Sequence, residues 1–182
     1  MSDPADYFNA KVFFTVLGVD NQAGSKLLAE SYQNFYRAFE RFNRIAWGGT
    51  LPWCVLRFYR GRGGRTLAYA SCQLPYSISF NLSRCTRLPE SFIWGVLAHE
   101  MTHIWQFNLG RRGGHGKDFH AEMFRIGVDE KAGLVLPNTP ANYIFSLNEM
   151  FPVSLYNSIH NIHKYSSFSS VETIMFFYIN RK

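Results

Sequence analysis

Two histidines and a glutamate have the residue types and the spacing that a zinc hydrolase requires. Residues 99–103 read His-Glu-Met-Thr-His. Residues four apart on a helix lie on one face, so His99 and His103 can each turn a ring nitrogen to the same metal ion. Glu100 projects beside them and can take a proton from water without being a ligand. The pattern predicts a site for one zinc ion with Glu100 as catalytic base; the alternative is an ordinary helix that carries the pattern by chance.

A catalytic zinc site normally takes three protein ligands, and the best candidate for the third lies downstream. His115 sits between glycines in the segment 113–116, where the backbone can bend sharply and bring the imidazole close to the metal helix. His120 and Glu122, in the amphipathic segment that follows, compete for the same position. The spacing favours His115 but leaves the three alternatives open.

The elements that must position these residues can be read from apolar periodicity. Apolar residues at helical spacing predict a metal-binding helix between Pro89 and Gly110, and a second helix that begins near Phe119 and stops at Gly127. An aromatic stripe predicts a long helix from Ser25 to about Arg44 that packs against a sheet.

Three segments have the composition of strands, and one earlier apolar run, residues 12–17, could be a strand or a helical turn. We expect residues 53–59 and 66–70 to form a hairpin across a glycine-rich turn. In residues 77–82 apolar and polar side chains alternate, which is typical of a strand with one wet face. This strand is also the expected edge for main-chain pairing with an extended substrate. The predicted fold is α+β, a small antiparallel sheet packed on helices.

At this point the sequence resembles a known family. Residues 97–106 contain a helix reading HEMxH, and residues 114–119 contain a downstream GHGxxF, which together resemble the SprT-like metalloproteases, a family that includes the Spartan proteases. The resemblance extends approximately from residue 22 to residue 127. It implies a zincin-like domain in which zinc is held by His99, His103 and His115, with Glu100 as the base. It further implies an endopeptidase acting on DNA-associated or DNA-crosslinked proteins, as in DNA–protein crosslink repair.

The length of 182 residues allows one domain with a substantial core. We expect an N-terminal extension over residues 1–21, a SprT-like catalytic domain over 22–130, and a C-terminal extension of unknown role over 131–182. No Cys-x-x-Cys pair occurs in the sequence, so the zinc ribbon found in many relatives is not expected here. His160 and His163 are expected to be surface or packing residues, because no third ligand accompanies them.

Several features indicate an intracellular location. The sequence has no apolar stretch long enough to span a bilayer, and Asp3 and Asp6 occupy a region that is basic in a secretory signal. The cysteines are odd in number and widely spaced, so Cys54, Cys72 and Cys85 are expected to be reduced core residues. We expect no membrane or lipid partner, and a location that is cytoplasmic in a prokaryote or a virus-infected cell and nuclear in a eukaryote.

The positive charge favours a polyanionic partner. The net charge is +6 and the isoelectric point about 9.3, which suits nucleic acid. One basic group is interleaved with aromatic residues around the glycine turn, and a second flanks the third ligand: Arg57, Arg60, Arg62 and Arg65, then Arg111, Arg112 and Lys117. Arginine with exposed aromatic rings is typical of binders of DNA with single-stranded character. A solvated turn is the alternative for the first group.

Three functions are compatible with this pattern. The first is a zinc endopeptidase that acts on DNA-bound proteins, and the second is a zinc peptidase of the same fold with no link to DNA. The third is a non-catalytic, zinc-stabilised DNA-binding module, against which Glu100 argues, since a structural site has no use for a base. No oxyanion-stabilising residue is identified by the sequence; Tyr69 and His120 are the candidates.

Overall fold

The computed structural model describes residues 22–61, 65–129, 134–135 and 154–166. The predicted element at residues 12–17, most of the predicted C-terminal extension and Arg62 lie outside these ranges. The described helices are α1 (Gln22–Trp47), α2 (Leu82–Cys85), α3 (Glu90–Asn108), α4 (Lys117–Arg125) and α5 (Leu155–Tyr165). The described strands are β1 (Val55–Tyr59), β2 (Ala68–Ser71), β3 (Ser77–Asn81), β4 (Val128–Asp129) and β5 (Leu134–Val135). Helices with a small mixed sheet confirm the α+β class.

Helix α1 supplies the aromatic half of the core, as its apolar stripe predicts. Phe35 is fully buried and contacts Phe58 and Phe80 of the sheet, with ring centroids 4.9 and 5.2 Å apart. The helix runs about a turn beyond the predicted end at Arg44 and stops before Gly48, whose φ of 62° suits a residue without a side chain. The long helix and its buried face were therefore predicted correctly.

The main sheet is mixed, and the predicted hairpin is wrong. Its strand order is β1-β3-β2: β1 pairs parallel with β3, and β2 pairs antiparallel with the other side of β3. The chain between β1 and β2 therefore passes from one edge of β3 to the other. Periodicity shows which residues are extended but not which strands pair. A glycine-rich segment between two strands is typical of a hairpin, but here the two strands lie on opposite sides of β3. A short antiparallel pair, β4 and β5, forms a second sheet.

Strand β3 has no solvent-exposed face and is not an edge strand. The predictions of one exposed face and of an edge for substrate pairing are therefore both wrong for this strand. All five of its residues are buried. The register places Ser79 between Arg57 of β1 and Tyr69 of β2, so larger side chains on both neighbours cover the small polar one. A central strand has both sides paired, and the edge strands of the described sheet are β1 and β2.

Helix α5, from the predicted C-terminal extension, packs on α1. Its apolar residues Leu155, Ile159 and Ile162 are fully buried and belong to the same hydrophobic core as the sheet and α3. On the same helix, His160 and His163 are partly buried and stand apart from the histidines of α3 and its following loop. Neither belongs to the group of possible metal ligands found among the described residues.

The cysteines are free thiols, and two of the three lie in the core. Cys54 and Cys85 are buried, whereas Cys72 is exposed, so its prediction as a core residue is wrong. Among the described helices, none is both long and apolar enough to cross a membrane.

Candidate metal centre

Helix α3 presents the two histidines of the motif on one face, as the four-residue spacing requires. His99 and His103 are half-buried, and their ring centroids lie 5.1 Å apart. Glu100, between them in sequence, is 5% exposed. The helix is apolar around most of its surface and is buried among β2, α1, α4 and α5. These contacts on several sides fix the position of the backbone that carries the three side chains.

The loop between α3 and α4 brings His115 to the same point. Gly113 packs directly on Phe107: a Cβ built at residue 113 would lie 2.5 Å from Cε1 of that ring, closer than real Cβ atoms approach. Only glycine allows the loop to approach the helix this closely without displacing the ring or the backbone. The predicted role of the glycines, to bring His115 near the metal helix, is thus visible at Gly113.

The three imidazoles converge through their Nε2 atoms. The Nε2 of His115 lies 3.0 Å from that of His99 and 3.2 Å from that of His103. Zinc–nitrogen bonds of about 2.0–2.1 Å in a tetrahedral arrangement would separate ligand nitrogens by roughly 3.3 Å. Within the described part of the chain, these three residues form a group able to hold one metal ion, their ligand atoms all within 4.8 Å of one another. The residues present therefore fit a zinc ion with three imidazole ligands.

A fully buried phenylalanine underlies all three rings. The ring centroid of Phe119 lies 4.8, 4.6 and 4.8 Å from those of His99, His103 and His115, in that order. The sequence predicted Phe119 only as part of a buried helical face. Because one rigid ring contacts each candidate ligand, Phe119 also limits the positions that the imidazoles can take.

The side chain of Gln106 links the helix to the loop. Its Oε1 lies 2.9 Å from Nδ1 of His103 and accepts a hydrogen bond from the Gly114 amide at 3.3 Å. Its Nε2 donates to the Gly114 carbonyl at 3.0 Å. Gln106 is 4% exposed, so these bonds are shielded from solvent. Sequence reasoning missed this residue, although its position three residues after His103 on a helix was a usable signal.

Burial lowers the pKa of the two helical histidines. Desolvation, followed by the nearby His103 and His115, lowers the pKa of His99 to about 4. Desolvation also lowers the pKa of His103, against the hydrogen bond to Gln106, which raises it. Neutral imidazoles have a free lone pair for a metal, so this electrostatic environment favours ligation at neutral pH.

Burial has the opposite effect on Glu100. It raises the pKa of this carboxyl to about 8, while a hydrogen bond with the Ala70 backbone lowers it in part. A buried carboxyl with a raised pKa, next in sequence to a possible metal ligand, is typical of groups that transfer protons. Its contact with Ala70 also shows that strand β2 lies next to the site.

The two rivals for the third ligand position lie elsewhere. Glu122 is buried and points to the end of α1: its Oε1 accepts from Nε1 of Trp47 at 2.7 Å, and both carboxylate oxygens are bonded by Arg125. His120 is exposed on α4 and is not part of the converging group. Geometry thus leaves His115 as the third candidate ligand.

The predicted DNA-contact residues have different environments. Arg60 is partly buried, and its guanidinium donates to the backbone carbonyls of His163 and Ser166 at the end of α5, the second at 3.4 Å. Arg57 is also partly buried, and Arg65 is exposed. The structure therefore does not gather the described members of the first basic group into one exposed patch.

The second basic group lies on the loop that carries His115. Arg111 forms an ion pair with Asp118 at 2.6 Å and lies over the ring of Trp105, 5.4 Å from its centroid. Arg112 and Lys117 are exposed on either side of the candidate ligand in sequence. These residues give a positive charge to the segment that carries His115.

Comparison with known proteins gives one result. A family model described as the SprT-like family matches residues 35–141, more than half of the chain. The match contains all three converging histidines, Glu100 and Gln106. No curated protein and no solved structure matches the chain significantly.

Proposed function

The chain belongs to the SprT-like family, and from this premise we propose that it is a zinc-dependent endopeptidase with a zincin-like catalytic domain. The observation that carries the proposal is the convergence of three Nε2 atoms, with the buried Glu100 next in sequence to one of the three histidines. His99, His103 and His115 would hold the zinc ion, and Glu100 would act as general base. When bound, zinc supplies a Lewis acid that lowers the pKa of water and of the nearby carboxyl and polarises a substrate carbonyl.

Glu100 takes a proton from the attacking water and passes it to the leaving amine. Its burial supports this role, because desolvation raises the pKa of the carboxyl and makes it bind a proton more readily than an exposed carboxyl does. The alternative of a non-catalytic, zinc-stabilised DNA-binding module gives this carboxyl no purpose.

Strand β2 is the part of the sheet that we propose aligns the substrate, in place of β3. The Asn81 amide donates to the Leu67 carbonyl at 2.8 Å. Backbone groups alternate in direction along an antiparallel strand, so those of Ala68 and Ala70 point away from β3. No other described strand pairs with that side. An extended peptide that pairs with the Ala68 backbone would run beside Glu100, which already has a hydrogen bond with the Ala70 backbone.

The substrate class that we propose is protein bound or crosslinked to DNA. The charge of +6 and the exposed Arg112 and Lys117, which flank His115 in sequence, support a polyanionic partner. DNA with single-stranded character remains the proposed form. Arg60 is hydrogen-bonded to the end of α5, which weakens the part of this proposal that rests on the first basic group. This observation favours the second candidate function, a zinc peptidase that acts without DNA.

The experiment that tests this function is digestion of a histone by the zinc-loaded chain without DNA, with single-stranded DNA and with double-stranded DNA. A chelated sample restored with zinc controls for contaminating proteases. We expect zinc-dependent cleavage that single-stranded DNA stimulates. Equal cleavage in all three arms would leave a zinc peptidase and remove DNA from the account. Absence of zinc-dependent cleavage in every arm would contradict the endopeptidase.

A further inference from the structure

The turn of α3 that follows His103 contacts the loop that carries the third histidine. Two successive residues contribute to it: Gln106 pairs with the backbone of Gly114, and the ring of Phe107 lies under Gly113. The Phe107 ring is itself held, with its centroid 6.1 Å from that of Tyr76. The loop therefore rests on the helix directly before the residue that carries the third imidazole.

The hydrogen bonds at Gly114 fix the orientation of the Gln106 amide. A backbone N–H can only donate and a backbone carbonyl can only accept, so the pairing at 3.3 and 3.0 Å puts Oε1 opposite the Gly114 N–H and Nε2 opposite the Gly114 carbonyl. The same Oε1 lies 2.9 Å from Nδ1 of His103. An oxygen at that distance can only accept, so Nδ1 of His103 carries a proton.

The position of that proton decides which nitrogen of His103 is available to a metal. A neutral imidazole has one N–H and one lone pair, so a proton on Nδ1 leaves the lone pair on Nε2. Nε2 is the atom that converges with Nε2 of His115 at 3.2 Å. Gln106 thus acts on one histidine through its tautomer and on another through the loop that carries it.

We propose that Gln106 is a positioning residue that fixes two of the three zinc ligands at once, His103 by a hydrogen bond to Nδ1 and His115 by pairing with Gly114. The inference rests on the proposed zinc site and goes beyond it by assigning a residue that does not touch the metal. Outer hydrogen-bond partners of ligating histidines orient the rings, and their loss typically lowers metal affinity by about 10- to 100-fold.

The test is the zinc dissociation constant, measured by chelator competition, for the wild-type chain and for Gln106→Met, which has a similar volume but no hydrogen bonds. Gln106→Glu retains acceptors for His103 and for the Gly114 amide, but it loses the donor to the Gly114 carbonyl and adds a negative charge. We expect zinc affinity to fall by about 10- to 100-fold in Gln106→Met and by less in Gln106→Glu. Gln73→Met, on an exposed loop, is the matched control and should bind zinc as the wild type does.

Two further readouts separate positioning from a general loss of structure. The visible absorption of the cobalt-loaded chain should change in Gln106→Met, because two ligands are less well placed, and the unfolding midpoint of the metal-free chain reports stability. Gly113→Ala tests the contact between the loop and α3 without changing Gln106. It should also weaken zinc binding, since the added Cβ would clash with Phe107.

The possible outcomes distinguish the two proposals. A wild-type chain that binds no zinc would refute the proposed function itself. A wild-type chain that binds one zinc ion, with Gln106→Met within twofold of its affinity and with the same cobalt spectrum, would refute the role of Gln106 alone. If Gln106→Met does not fold, Gln106→Glu and Gly113→Ala decide: zinc affinity unchanged in both would overturn the proposal.

Discussion

At the scale of single residues, the candidate site depends on which of three nearby side chains is the third ligand. His115 converges with the helical histidines, and His120 lies on the exposed side of α4. We expect His115→Ala to weaken zinc binding by more than about 100-fold, since a lost ligand should cost more than a lost outer partner. His120→Ala should leave zinc affinity unchanged. Zinc titration with a chelator competitor measures both, and the reverse result would reassign the ligand.

The residues of the site could be predicted from sequence to different extents. His99 and His103 follow from helix geometry, because a spacing of four residues fixes their common face, and Glu100 follows from the HExxH motif that they complete. The choice among His115, His120 and Glu122 could not be made from spacing. It depends on Trp47, far away in the sequence, whose indole N–H holds the Glu122 carboxylate at 2.7 Å.

At the scale of elements, α5 is held by opposite charges at its two ends. At its first turn, the Glu90 carboxylate accepts from Ser154 Oγ and from the amides of Leu155 and Tyr156, each at 2.8 Å. At its last turn, Arg60 donates to carbonyl oxygens. A carboxylate at the N-terminus and a guanidinium at the C-terminus hydrogen-bond backbone groups that have no partner within the helix, and both charges interact favourably with the helix dipole. These contacts fasten α5 to the end of β1 and to the first turn of α3, the helix that carries His99 and His103.

This arrangement gives a prediction for Arg60 that differs from its predicted role in DNA contact. Arg60→Met should lower the free energy of unfolding by about 1–2 kcal/mol, because partly buried carbonyls lose a charged donor. Arg65→Met, at an exposed position, is the control and should change it by less than about 0.5 kcal/mol. Urea denaturation measures both. Equal stability of the two variants would show that the Arg60 contacts contribute nothing.

The elements themselves were easier to predict than their pairing. The helices at α1, α3 and α4 follow from apolar periodicity, and Gly110 and Gly127 near two of their ends have φ of 69° and 77°. Strand pairing is set by tertiary packing: β3 takes the centre of the sheet because Phe80 and Ile78 are buried between both neighbours. No local signal in the sequence carries that information.

At the scale of the whole molecule, the positive charge is the feature on which the proposal of a DNA partner rests. If the second basic group contacts DNA, replacing Arg112 and Lys117 by Gln should weaken binding of single-stranded DNA. It should also reduce the slope of log affinity against log salt by about 1–2, since about one counterion is released per phosphate neutralised. Fluorescence anisotropy at several salt concentrations measures this slope.

The matched control removes the same charge elsewhere. Lys26 and Arg37 are exposed cations of α1, outside both basic groups. Their replacement by Gln changes the net charge equally and should leave the salt slope nearly unchanged. If both double variants weaken DNA binding to the same extent, the overall charge contributes to binding and the second basic group has no specific role.

The central claim is that the three histidines and Glu100 form a hydrolytic zinc site. The most direct test measures bound zinc and histone cleavage together, in the wild-type chain and in Glu100→Gln, which preserves the size of the side chain and removes the base. The account predicts one zinc ion per chain in both proteins, with cleavage in the variant reduced by at least about 100-fold. Cleavage by Glu100→Gln at the wild-type rate would contradict the account.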